Sequence, residues 1–338
     1  MTAQRWSAIF VALAFVVTFL PARSAEKPKN PHPSARIGLV FDVGGRGDKS
    51  FNDAAFAGVT RAENELGVEA SYLEPSSTED REAALRLFAA RKFDLVIGVG
   101  FIFSSDVAEV ARAYPNVRFA CVDYSPGASG IPENVAGIAF REEEGSFLVG
   151  AVAGLMTKTS HVGFVGGMEG PLIRKFEVGF FAGVEATCPT CAVHAGYAGN
   201  TPDAYHDPAK GKAIANAHIA AHSDIIYHAS GSTGHGVFEA AKDAHILTIG
   251  VDADQYDEMP GTVVTSMIKR GDVAVFDMVK SVVEGHFQGG MHVFGLKEDG
   301  VDYVHEGPHA AGIPDDVKKR VEDLRGAVID GRIKVPSH

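Results

Sequence analysis

Short apolar runs alternate with stretches of helical spacing along nearly the whole chain. Residues 36–41 read as a strand, apolar without a break from Ile37 on, and 50–66 carry a helical period that stops at Gly67. Strand 68–73 then precedes helix 78–91, and strand 95–99 precedes helix 104–114, halted by Pro115. Residues 117–122 give one more strand. Runs too apolar to alternate between two faces are the mark of parallel strands covered on both sides. A second series follows, with strands at 135–140, 162–165, 193–197, 225–229, 246–251 and 263–268. Helices at 142–157, 173–186, 208–221, 234–244 and 272–284 separate them, and a last helix spans about 314–330. The pattern predicts an α/β protein of two doubly wound lobes, and 338 residues are more than one core usually serves. The similar element order in the two halves suggests a duplicated architecture, without a sequence repeat. Doubly wound sheets bind ligands at the carboxyl ends of their strands. Two facing sheets would put such ends on both sides of one cleft.

The head of the chain breaks this pattern. Arg5 precedes a twelve-residue run at 9–20, interrupted only by Thr18 and ended by Pro21. Twelve helical residues reach roughly 18 Å, short of a bilayer core. With small residues at Ala22, Ser24 and Ala25, residues 1–25 read as a cleaved secretory signal. Residues 26–34, with Pro28, Pro31 and Pro33, read as an irregular lead-in. No later stretch is apolar enough to span a membrane, so an exported soluble protein is expected.

Composition narrows the partners. The net charge of −12 suits neither nucleic acid nor anionic lipid, and no basic cluster exceeds Lys318-Lys319-Arg320. Of the three cysteines, Cys188 and Cys191 could close a small disulfide loop in an oxidising compartment. They follow a helix and precede a strand, the reverse of a redox CxxC site. Cys121 sits in an apolar run and reads as core. No cysteine stands near the cleavage point, so an N-terminal lipid anchor is not expected.

The polar residues of interest fall just after strands. Between the first strand and helix lies Asp42-Val43-Gly44-Gly45-Arg46-Gly47-Asp48-Lys49-Ser50-Phe51-Asn52. It has the glycines and Lys-Ser pair of a phosphate loop. Asp48 separates Gly47 from Lys49, however, and would repel a phosphate. Asp48 or Ser50 fits a helix cap, while Phe51 and Asn52 offer an aromatic face and an amide to a flat ligand. Phe101 and Phe103 follow the third strand and read first as packing. Asp123 ends the next strand, as either a cap or a ligand contact. Later strand ends carry Gly166-Gly167-Met168 with Phe176, Phe180 and Phe181 beyond them, a glycine-rich loop at 231–236, Asp252 and Lys269. The fourteen histidines form no HExxH or paired Cys/His grouping, so no metal or cofactor is expected. No GxSxG elbow occurs, and nothing marks a nucleophile. Carboxylates accepting hydrogen bonds are the simpler reading of Asp42, Asp123 and Asp252.

These residues resemble the basic membrane protein family of bacterial ABC-transporter substrate-binding proteins, whose best-known members are purine-nucleoside-binding lipoproteins. The resemblance runs from about Ile37 to Val304. It rests on Asp42-Val43-Gly44-Gly45 with Asp48-Lys49-Ser50-Phe51-Asn52, on Gly98-Val99-Gly100-Phe101, and on Glu142-Glu143-Glu144-Gly145-Ser146-Phe147. Further marks are Val162-Gly163-Phe164-Val165-Gly166-Gly167-Met168, Asp207-Pro208-Ala209-Lys210-Gly211-Lys212, Gly250-Val251-Asp252-Ala253-Asp254-Gln255 and Ser266-Met267-Ile268-Lys269-Arg270. It implies a type I periplasmic-binding fold with three hinge crossovers. The first lobe would comprise residues 35–140 and 264–290, and the second 141–263 and 291–338. Phe51 and one of Phe176, Phe180 or Phe181 would stack on a purine base. Asp42 and Asn52 would lie near its polar edge, with Asp123, Asp252 and Lys269 near the ribose. The missing lipidation cysteine departs from the lipoprotein members and implies a freely diffusing periplasmic monomer that serves an inner-membrane ABC permease.

Three functions compete on this reading. One is a receptor that hands a purine nucleoside, a purine base or a related solute to the permease. Another is a ligand sensor docking on a membrane signalling protein. The third is a nucleoside hydrolase or phosphorylase, which turnover of inosine with phosphate would reveal.

Overall fold

The structure, a computed structural model, describes residues 34–42, 44–75 and 78–338. The expected signal at 1–25 lies outside them. Two six-stranded sheets form the two lobes. The first contains β1 (Arg36–Val40), β2 (Glu69–Leu73), β3 (Leu95–Val99), β4 (Arg118–Val122), β5 (Val135–Phe140) and β11 (Gly290–Phe294), in spatial order β11-β5-β4-β3-β1-β2. The second contains β6 (His161–Met168), β7 (Ala192–Gly199), β8 (Ile225–Ala229), β9 (Leu247–Asp252), β10 (Val263–Lys269) and β12 (Val301–Tyr303), in order β12-β10-β9-β8-β6-β7. Strand for strand the two orders are the same. Every pairing is parallel except that of β10 with β12.

Helices cover both faces of each sheet, as the continuous apolar runs require. In the first lobe α1 (Phe51–Leu66) and α8 (Gly271–Val283) pack together on one face. Helices α2 (Thr78–Ala90) and α3 (Ser104–Ala113) cover the other, over Phe88, Val96 and Phe119. In the second lobe α6 (Pro208–Ala220) and α7 (Gly234–Ala244) pack together over Val165 and Ile226. Opposite them lie α4 (Glu142–Met156), α5 (Pro171–Thr187) and α9 (Asp315–Ile329). Helix α4 is buried nearly all round, and glycines let α5 come against its backbone. A Cβ on Gly150 would fall 2.2 Å from the Phe180 carbonyl oxygen, and one on Gly183 would fall 2.0 Å from that of Phe147.

The chain crosses between lobes three times: at Arg141 between β5 and α4, at Arg270 between β10 and α8, and at 295–300 between β11 and β12. Two of these crossings correct the expected lobe boundaries. Strand β10 belongs to the second sheet and β11 to the first, so residues 271–294, not 264–290, return to the first lobe. The turn into the lobe waits for the helix that packs on α1. Strand β11 escaped the sequence pattern because it is a glycine-flanked edge strand whose side chains are at most half-buried. The topology is that of a type I periplasmic-binding protein, with the carboxyl ends of both sheets facing one cleft.

Cys188 and Cys191 are joined as a disulfide between α5 and β7, at the end of the second sheet away from the cleft. Cys121 is a buried, free thiol in β4. No helix among the described residues is long and apolar enough to cross a membrane.

Candidate functional site

The strand ends meet around a cavity between the two lobes. Asp42, Phe51, Asn52 and Asp123 reach it from the first lobe, and Phe176, Asp252 and Lys269 from the second. A second chamber continues the cleft past Phe101, Asp123 and Tyr205 towards Glu142 and Lys175.

Asp123 and Asp252 hold equivalent places. Asp123 follows the fourth strand of its lobe and Asp252 ends the fourth strand of the other, and each adopts a left-handed backbone, φ 59° and 66° respectively. That conformation costs a non-glycine residue energy and is tolerated best by Asp and Asn. Its recurrence at both strand ends aims a carboxylate into the cleft from either side. Such strain is commonly held at functional positions.

Lys269 ends β10 and lies between these carboxylates, almost wholly buried. Its Nζ donates to Asp123 Oδ2 at 2.8 Å and stands 3.8 Å from Glu142 Oε1. It also sits over the rings of Phe51, Phe140 and Phe176, at 4.7, 5.4 and 5.5 Å from their centroids. Burial alone would lower the lysine pKa, but Asp123, Asp252 and Glu142 outweigh it and hold the ammonium protonated. Asp252 is pushed up by burial, against the pull of Lys269 and the hydrogen bond from Ser50. Glu142, at the start of α4, is pushed up to about 7 by burial, against the pull of Lys269 and Lys175. Asp123 Oδ1 is buried without a hydrogen-bond partner. A buried acceptor left unpaired is costly, so this oxygen calls for a donor that the protein does not supply.

The loop before α1 is built by Asp48. Its carboxylate accepts from the backbone N–H groups of Ser50, Asn52 and Asp53 at 3.0, 2.8 and 3.1 Å, so it caps the helix. Asn52 lines the cavity, but its amide is engaged locally. Its Oδ1 accepts from Asp42 N at 2.9 Å and its Nδ2 donates to Asp48 at 3.1 Å. Asn52 therefore fixes where Asp42 stands. Across the cleft, Ser50 Oγ donates to Asp252 Oδ2 at 2.5 Å and Gln255 Nε2 donates to the Lys49 carbonyl at 3.2 Å, so the lobes are closed on each other.

One expected site residue lies elsewhere. Phe180 is fully buried, with its ring 5.2 Å from that of Tyr227 and 6.3 Å from that of Phe164. It follows Phe176 by one helical turn, and that rise along α5 carries it from the cleft into the core. Phe181 packs on the same core and does not line the cavity. The aromatic that sequence reasoning missed is Tyr205, which faces both chambers from the short turn Pro202–Tyr205. Its signal was faint: an aromatic in an unpatterned loop after β7, two residues before the helix cap Asp207. Among the described residues no group of three or more His, Cys, Asp or Glu side chains is arranged to hold a metal.

Comparison with known proteins agrees with this geometry. Residues 36–338 match the Bmp family, described as ABC transporter substrate-binding protein PnrA-like. The CD4+ T-cell-stimulating antigen of Listeria innocua is 35% identical, over 97% of this chain and 96% of its own. Basic membrane protein A of Borreliella burgdorferi is 32% identical, over 90% and 88%. An uncharacterized lipoprotein of Pyrococcus abyssi is 36% identical, over 81% and 70%; its name runs against the lipid-free form expected here. Among solved structures, a solute-binding protein of an ABC transporter system from Aeropyrum pernix superposes with a TM-score of 0.81 at 30% identity, covering 90% of this chain and 94% of that one. With closed lobes, paired strand-end carboxylates and a family match over the whole described fold, the chain belongs to the Bmp family of PnrA-like ABC-transporter substrate-binding proteins.

Proposed function

We propose that the protein is the periplasmic receptor of an ABC importer and binds a purine nucleoside between its lobes. The observation that carries this reading is the pairing of Asp123 and Asp252 around Lys269. Two carboxylates can accept from ribose hydroxyls while the ammonium donates and offsets their mutual repulsion. Phe51 presents a ring from the first lobe. Phe176 and Tyr205 present rings from the second, so the base has an aromatic partner on each side. Stacking contributes roughly 1–3 kcal/mol per base and discriminates poorly between bases. Hydrogen bonds to the sugar and the base edge then supply selectivity, because an analogue that lacks a donor leaves a buried acceptor unpaired. Asp42 stands near the base edge, with Asn52 holding it in place. Closure of the lobes on the ligand presents a compact monomer to the permease, as hinge proteins do.

The experiment is calorimetric titration of unfolded-and-refolded protein, freed of any carried ligand, with adenosine, inosine, guanosine, their free bases and ribose. Tight binding of at least one purine nucleoside, with its free base weaker, supports the reading. Binding of free base alone moves the ligand to the purine-base class. Release of base during incubation with inosine and phosphate would overturn the receptor altogether.

A further inference from the structure

The side-chain amide of Gln255 is oriented by two backbone groups. Its Oε1 accepts from the Val251 N–H at 2.8 Å, and its Nε2 donates to the Lys49 carbonyl at 3.2 Å. A backbone N–H only donates and a backbone carbonyl only accepts, so the amide has a single consistent orientation. His228 Nε2 stands 3.1 Å from the same Oε1, and it must carry the proton that it donates there. The His228 ring is fully buried on β8, edge-on to Phe238, and a Cβ on Gly234 would fall 2.0 Å from it. Burial drives its pKa down to about 3. The ring is neutral, so with Nε2 protonated Nδ1 is left as a bare lone pair. Ser230 Oγ lies 3.2 Å from Nδ1 and donates its only proton to it. Ser230 is also part of the cavity wall. A hydroxyl that has given its proton away has only lone pairs left to offer.

From this directed chain we propose that Ser230 is a specificity-determining residue whose acceptor-only hydroxyl requires a hydrogen-bond donor on the facing edge of the ligand, with Gln255 and His228 as the positioning residues that fix its polarity. The proposal rests on the purine-nucleoside reading above. A ring N–H or an exocyclic amine satisfies Ser230. A bare ring nitrogen or a carbonyl would set acceptor against acceptor and leave both unpaired. Opening of the lobes preserves the polarity. The Val251, His228 and Ser230 bonds lie within the second lobe, and only Lys49 belongs to the first.

The test is calorimetry with adenosine, inosine and purine riboside, which lacks both the exocyclic amine and the ring N–H of the other two. Wild type should bind adenosine or inosine about tenfold or more tighter than purine riboside. Ser230→Ala should narrow that ratio below about threefold by weakening the better ligand. Gln255→Leu should narrow it equally with the serine intact, because His228 is then free to change tautomer. Gln255→Glu still accepts from His228 but opposes the Lys49 carbonyl, so it should weaken all three ligands while keeping the ratio. A wild-type ratio retained in folded Ser230→Ala overturns the proposal, whether or not Gln255→Leu folds. Equal wild-type binding of all three nucleosides overturns it too and leaves the nucleoside reading standing. Binding of none removes that reading and the proposal with it.

Discussion

Lys269 Nζ and Asp123 Oδ2 meet at 2.8 Å between the lobes, the lysine from the last inner strand of the second sheet and the aspartate from the fourth strand of the first. Both are almost fully buried, so the bond is a salt bridge whose desolvation is offset only while the partners stay together. Removing one partner of such a pair typically costs about 3–5 kcal/mol. Lys269→Met should lower unfolding stability by that order in urea titrations at neutral pH, because Asp123, Asp252 and Glu142 then lose their shared cation. Ligand affinity should fall with it. A variant as stable as wild type would mean that the carboxylates do not depend on Lys269.

Glu142 gives a pH dependence of definite sign. Its carboxyl is pushed up to about 7 in the fold, chiefly by burial, whereas an unfolded glutamate titrates near about 4.3. Between those values the folded state holds a proton that the unfolded state has lost. The stability this proton confers is fully present below about pH 4.3 and is lost as pH rises through about 7, at no more than about 1.4 kcal/mol per unit. Glu142→Gln, which mimics the protonated form, should therefore match wild type in acid and exceed it at pH 8. Parallel stability curves for the two proteins from pH 4 to 8 would contradict this.

Phe176 and Phe180 separate site from core one helical turn apart. Phe180→Ala should cost about 3–5 kcal/mol of stability, as deletion of a buried ring does, and leave nucleoside affinity of the folded protein within about twofold. Phe176→Ala should weaken nucleoside binding by roughly 1–3 kcal/mol if its ring stacks on the base. If Tyr205 carries that stack instead, Tyr205→Ala shows the loss and Phe176→Ala does not.

These two phenylalanines also show what the sequence made legible. Unbroken apolar runs exposed the parallel sheets and marked Asp42, Asp123, Asp252 and Lys269 at strand ends. The strand pattern left Asp123 open between a cap and a ligand contact, and it was the family resemblance that assigned all four to a ligand. A helix offers no such marker. Phe176, Phe180 and Phe181 share one amphipathic segment, and only the angle at which α5 meets the sheet decides which ring faces the ligand cavity. Tyr205 sits in a loop without period, and β11 lies at an exposed edge where apolar continuity is not needed. The roles of Asn52 and Gln255 depend on side-chain contacts with the backbone, to Asp42 N and to Val251 N, that no hydrophobic period marks.

Export can be checked on the whole protein. We propose that the mature form begins near Ala25 or Glu26 and carries no acyl group, the cysteines of this sequence lying at 121, 188 and 191. Intact-mass measurement of protein recovered from the producing cell decides this. An acylated or uncleaved N-terminus would align it with the relatives named lipoproteins.

The division of labour between aromatic ring and carboxylate is tested most directly by titrating Phe51→Ala and Asp252→Ala with inosine and hypoxanthine. Phe51→Ala should weaken nucleoside and base alike, by roughly 1–3 kcal/mol for one lost stack. Asp252→Ala should weaken inosine by about 1–3 kcal/mol, as ribose hydroxyls lose a buried acceptor, and leave hypoxanthine nearly unchanged. Loss of hypoxanthine as severe as that of inosine in Asp252→Ala would place the aspartate on the base and contradict the assignment of the sugar to the Asp123–Lys269–Asp252 cluster.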